Sequence, residues 1–233
     1  YTLGAVYSNG DIFITADYYN IEVTDRISQS DKINLTAGDK DVLRAAGVPN
    51  VDSLQQVSFF TNDFDTTTQG LDVVANYSAD LLDGDATFSL AYNWNETKVD
   101  RFSDITGAFK VKRLEEDLPN HRATLTWAQS WENVSAFTRV NYYGEYQGVH
   151  VDYDATAITA SSAFTVDAEV SYNFTDNVVL TVGAQNLLNK EAERINIPAA
   201  QGIPNNNWGG VYYETSPYGF NGRLAYAKLA YNF

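Results

Sequence analysis

The closing stretch Gly222-Arg-Leu-Ala-Tyr-Ala-Lys-Leu-Ala-Tyr-Asn-Phe233 decides the fold. From Ala225 onward one parity is apolar (Ala225, Ala227, Leu229, Tyr231, Phe233), and the other carries Lys228 and Asn232. A period of two with one apolar side is a β-strand with that side taken out of water. The stretch runs to an aromatic residue with no polar tail, although chain termini ordinarily fray into solvent. Two architectures fit this ending: a last strand tucked into a soluble β-sandwich, or the closing strand of an outer-membrane β-barrel whose apolar side meets lipid.

Composition narrows the choice. The 233 residues suit one large β domain or two small ones. Cysteine and methionine are absent, which excludes a disulfide framework and a thiolate metal site. A start at Tyr1, already in strand-like sequence, leads us to expect a fragment or mature segment, with no signal peptide to be seen. The net charge of −15 argues against nucleic acid as a partner, because phosphate backbones need clustered Lys and Arg. No run of about 18 apolar residues exists to make a transmembrane helix. A barrel escapes that test, since each of its strands turns only half its residues to lipid.

Taken in order, residues 1–7 form a short strand, and Ser8-Asn9-Gly10 a tight hairpin turn whose Asn-Gly pair supplies positive φ. Residues 11–27 follow as a long strand. Its parity changes between Tyr18 and Ile21, through a bulge or because the strand leaves the membrane and continues into solvent. Residues 28–56 are a polar insertion containing one short helix, capped by Thr36-Ala-Gly-Asp39, carrying Val42, Leu43 and Ala46, and ended by Gly47. Further strands cover 57–77, 86–95, 122–129, 134–143, 164–174 and 178–184. Short turns at 80–85, 130–133 and 175–177 alternate with long polar loops at 98–117, 146–162 and 189–217.

A sandwich has no reason to gather every long connection at one end. An outer-membrane barrel does, with short periplasmic turns and long extracellular loops. Aromatics band accordingly: Tyr7, Tyr77, Trp131, Tyr172, Phe174, Tyr231 and Phe233 lie by the short turns, and Tyr18, Tyr92, Trp94 and Tyr142 toward the long loops. The fold class expected is all-β, a transmembrane antiparallel up-and-down β-barrel of about nine strands. Nine is odd, whereas single-chain bacterial barrels close with an even number, so the chain reads as the C-terminal part of a larger barrel.

Four stretches resemble the C-terminal barrel of TonB-dependent outer-membrane receptors. They are Asp17-Tyr-Tyr-Asn-Ile-Glu-Val-Thr-Asp-Arg-Ile27, Phe60-Thr-Asn near Thr68-Gln-Gly-Leu-Asp72, Val182-Gly-Ala-Gln-Asn-Leu-Leu-Asn-Lys190, and Tyr218-Gly-Phe-Asn-Gly-Arg223. The resemblance implies a barrel of about twenty-two strands, a plug domain in its lumen, energy from TonB–ExbB–ExbD, and uptake of a nutrient such as an iron chelate or siderophore, a vitamin or an oligosaccharide. The plug and TonB box do not occur in this sequence. A C-terminal strand with Leu229, Tyr231 and Phe233 also looks like the signal read by the barrel-assembly machinery.

If the apolar faces meet lipid and lipopolysaccharide, Asp72, Arg122, Arg139, Asp167, Glu169 and Lys228 project into the lumen. A Lys or Arg on the lipid side at mid-membrane would cost about 2–4 kcal/mol. The resemblance gives these charges the plug as a partner. Ligand capture is expected at the extracellular mouth, where aromatics have polar neighbours: Phe102, Tyr143, Tyr146, Trp208, Tyr212 and Tyr213, with Pro204-Asn-Asn-Asn-Trp208 the best patch against a plain loop-packing role. Catalysis is not expected, because His121 and His150 stand apart without a nucleophile near them. No cofactor or metal is expected either; Asp152 and Asp154 read as a solvated acidic loop rather than a cation site. Two function classes remain: an energised nutrient importer, and a passive porin or purely structural barrel.

Overall fold

The computed structural model describes residues 1–149, 157–194, 212 and 216–233. In chain order its first elements are β1 (Thr2–Asn9), β2 (Ile12–Gln29), β3 (Ile33–Asn34), α1 (Ala37–Ala45), β4 (Gln56–Val57), β5 (Phe60–Leu81) and β6 (Gly84–Arg101). Then come α2 (Ala108–Glu116), β7 (His121–Ser130), β8 (Val134–Tyr143), β9 (Tyr146–Val149), β10 (Ala157–Ala160), β11 (Ala163–Thr175), β12 (Val178–Gln185) and β13 (Leu224–Tyr231). Nine strands form one open antiparallel meander, β1-β2-β5-β6-β7-β8-β11-β12-β13, and the pairs β3-β4 and β9-β10 sit within the long loops.

Residues directly opposite each other in paired strands share a face, so the register carries each face across the sheet. Ala5, Ala16, Val73, Tyr92, Ala123, Tyr142 and Phe164 form one such row, continued from β11 by Ala168, Ala184 and Ala225. This face is apolar from one edge to the other and is left open: Leu125 is 50%, Val182 54% and Leu229 70% exposed. The opposite face is polar, with Gly4, Asp17, Asp72, Asn93, Arg122, Tyr143 and Ala163 as its neighbouring row.

No bulge underlies the parity change after Tyr18. Pairing of β2 with β5 is unbroken from Ile12 to Val23, and the register shifts only beyond it, around Asp25 at φ 52°. Tyr18, Leu71 and Trp94 share the apolar face, and the next pair-row on that face is Asn20, Gln69 and Glu96. The strand therefore runs on past the apolar band, and the face that was apolar becomes polar.

Short connections match expectation with one displacement. The first turn is Gly10-Asp11, because Asn9 pairs with Ile12, and Gly10 at φ 56° supplies the left-handed first position. The β5–β6 turn places Leu82 and Asp83 at φ 56° and 57°, where Asn or Gly is usual. Trp131 Nε1 donates to the Leu82 carbonyl and Gln129 Nε2 to the Leu81 carbonyl, both at 2.8 Å, which holds the turn. The closing strand ends as regular structure at Tyr231, although Asn232 N still donates to Asn177 O at 2.9 Å and Phe233 packs on Tyr231.

At the long-loop end, α1 forms as expected: Thr36 accepts from Asp39 N, and Asp39 accepts in return from Thr36 N. The polar loop after β6 holds a second helix, α2, that periodicity did not announce; i,i+4 pairs Arg113–Asp117 and Lys112–Glu116 line it. Tight burial concentrates here. Phe64 and Val51 are 5% and 4% exposed, Ser30, Asp63 and Thr66 are buried too, and Thr106 is fully buried.

Candidate functional site

The polar face is a hydrogen-bonded wall. All six charges expected on the lumen side lie on it. Asp72 accepts from Asn93 Nδ2 at 2.6 Å. Asp167 accepts from Asn141 Nδ2 (3.1 Å) and from the backbone N–H of Asn186 (2.8 Å). Arg139 donates to Thr126 Oγ1 at 3.2 Å and lies over the Phe137 ring. Tyr226 crosses the bare backbone of Gly183 to donate to Glu169 at 2.6 Å, and Tyr19 crosses Gly70 to accept from Asn95 at 2.7 Å. In both places a Cβ on the glycine would collide with the tyrosine ring. Lys228 stands opposite Thr181, with no hydrogen bond or ion pair among the described residues.

Of the expected capture residues, Tyr143 is the one drawn into the wall. It lies opposite Arg122, whose guanidinium carbon sits 5.2 Å from its ring centroid, and it packs against Tyr218 from the last long loop at 5.6 Å. Asp72, Asn93, Arg122, Thr124, Asn141 and Tyr143 line a depression of about 460 Å³ here. Tyr146 is 6% exposed and belongs to the loop packing, not to an open surface. Tyr212 packs against Phe220 at 6.1 Å, and Phe102 stands half-exposed after β6. Trp208, Tyr213, His150, Asp152 and Asp154 lie outside the described residues. Tyr218 was not singled out from sequence for capture, although it opens a stretch that carries the family resemblance.

Above the wall the first two long loops are joined. Asp63 accepts from Ser103 N (3.0 Å) and from the Thr106 hydroxyl, and these two donors hold its carboxyl below the usual carboxylate range. Lys110 Nζ donates to the Ser30 and Gln29 carbonyls, and Asp31 N to Ile105 O at 2.8 Å. Arg101 grips Asp65 with two bonds (2.6 and 2.9 Å) and reaches Asp25 at 3.1 Å. That grip, with the Asp25 backbone N–H, lowers the Asp65 carboxyl as well. In the fourth loop Asn186 and Asn189, both at positive φ, fold the chain back. Asn186 Oδ1 accepts from Lys190 N, and Asn189 Oδ1 accepts from Arg223 N at the approach to β13.

The profile described as "TonB dependent receptor-like, beta-barrel" matches residues 1–187. The chain belongs to that family. Its nine strands are a portion of the family's β-barrel. Solved structures agree in fold. The FrpB iron transporter from Neisseria meningitidis (F5-1 variant) superposes with a TM-score of 0.67 at 11% identity, covering 100% of this chain and 31% of that one. A mutant of the ferric enterobactin receptor PfeA from Pseudomonas aeruginosa gives 0.63 at 18%, covering 100% and 30%. The ferric-catecholate import receptor Fiu from K12 E. coli gives 0.61 at 12%, covering 99% and 27%. This receptor barrel chain thus spans less than a third of each of these neighbours. No curated protein matches the sequence.

Proposed function

We propose that this chain is the C-terminal barrel segment of an energised outer-membrane receptor in a Gram-negative bacterium. Such a receptor captures a scarce small-molecule nutrient at its extracellular mouth and delivers it to the periplasm with TonB-derived energy. The family match over residues 1–187 carries this reading. Neighbours named as iron transporter, ferric enterobactin receptor and ferric-catecholate import receptor favour an iron chelate among the candidate nutrients. The plug and the remaining strands would come from sequence outside this segment, and the inner-wall charges Arg139, Asp167, Glu169 and Lys228 would meet that plug. Lipid and lipopolysaccharide would cover the apolar face, and the barrel-assembly machinery would read Leu229, Tyr231 and Phe233. No step of the proposal requires catalysis.

The test is uptake by a strain lacking the gene, against a panel of radio-iron chelates, cobalamin and oligosaccharides, with and without TonB. One panel member should lose uptake on deletion of the gene and equally on loss of TonB. Uptake that persists without TonB would instead identify a passive porin.

A further inference from the structure

We propose that Arg122, Tyr143 and Tyr218 form a subsite for a planar ligand that bears a carboxylate, an inference that rests on the capture reading above. Arg44, Arg101 and Arg113 each face a carboxylate. Arg122 does not. Its guanidinium packs over the Tyr143 ring at 5.2 Å, and no hydrogen bond or ion pair engages its N–H groups among the described residues. The ring holds the guanidinium in place while its N–H groups stay open, and that fork can take a carboxylate through two parallel hydrogen bonds. A lysine could sit over the same ring but would present a point charge without the fork.

The surroundings select further. Tyr143 and Tyr218, 5.6 Å apart and tilted at 50°, wall the site with aromatic surface that suits a flat, partly apolar body. The depression of about 460 Å³ is the size of a small-molecule site. Asp72 lies in the same row, two strands from Arg122, at a lateral distance of about 10 Å. Its charge repels a dianion twice as strongly as a monoanion, so the row favours a singly charged carboxylate over a phosphate. Asn93 between them is already donating to Asp72. The four residues Asp72, Asn93, Arg122 and Tyr143 stand at the long-loop end of the wall, since Tyr143 closes β8 and Arg122 is the second residue of β7. That height faces the mouth.

Benzoate and its neutral isostere benzamide serve as probes of the purified full receptor in detergent, read by saturation-transfer NMR. Benzoate should bind about tenfold better than benzamide, and Arg122→Gln should remove the difference. Arg122→Lys should restore only part of it, because charge returns without the fork. Phosphate at equal concentration should compete poorly. Equal binding of the two probes, or benzoate binding unchanged in Arg122→Gln, overturns the subsite. So does an Arg122→Gln effect confined to the heat-modifiable gel shift, which would make Arg122 an anchor for neighbouring polypeptide. These outcomes are separable from the transport reading: TonB-dependent uptake with an unaltered KM in Arg122→Gln would sink the subsite and leave the receptor standing.

Discussion

The spanning sheet and the block of loops above it are held by opposite means. Within the apolar band the sheet has no core, and Leu125, Val182 and Leu229 stay half or more exposed on a face that, under the proposed reading, lipid would cover. The block at the outer ends of β2, β5 and β6 does bury side chains, and most of them are polar: Ser30, Asp63, Thr66 and Thr106, with Phe64 and Val51. In the sheet, backbone ladders supply most of the order, and side-chain bonds lie mostly on the polar face. In the block, side chains supply the order, and each buried donor needs its acceptor.

The largest effect should come from exchanging the faces of two neighbours. Leu125→Arg puts a guanidinium on the lipid side and should cost about 2–4 kcal/mol, whereas Thr124→Arg, one residue away on the wall, should cost under about 1 kcal/mol. Urea unfolding in vesicles checks this; equal costs would mean that the faces are misassigned. Next, Asp63→Ala should loosen the block by about 2 kcal/mol by orphaning Ser103 N and the Thr106 hydroxyl, with the sheet unchanged. Proteolysis of residues 30–59 on intact cells reads it. The same assay has a pH dependence with a defined sign. Asp63 and Asp65 are both held below the usual carboxylate range, so their contribution is complete above that range and fades as pH falls through the lowered values. Protection should therefore persist down to the ordinary carboxylate range and fail below it; protection lost near neutrality would contradict the assignment. The smallest effect belongs to the short-turn end. Leu82→Asn should stabilise the hairpin by about 1 kcal/mol by relieving the positive φ, seen as a later urea midpoint.

Legibility follows the same divide. Strand 134–143 agrees at both ends with β8, and the Thr36 capping box was readable, because alternation and capping are local rules. The second helix was not read from its loop: Lys, Arg and Glu dominate it, and its packing on β6 and β9 comes from distant segments. The parity change after Tyr18 was legible as a change and ambiguous in cause, since a bulge and an exit from lipid look alike along one strand. Only pairing with β5 separates them. Tyr143 and Arg122 were assigned separately to ligand and plug, because nothing in single-strand periodicity says that two residues twenty-one positions apart stand opposite each other.

What the sequence determined by itself is which side of each strand is apolar and which end carries the loops. The dyad repeat states the first and connection length the second. The tertiary structure alone decided the row Asp72, Asn93, Arg122, Tyr143, the crossing of Gly183 by Tyr226, and the joining of the first two loops through Asp63 and Lys110. Each of these depends on register between strands or on contact between distant loops. Turn geometry sets register within a short-turn hairpin, but across a long loop, as between Asn93 and Arg122, it is fixed only by the pairing of the strands themselves.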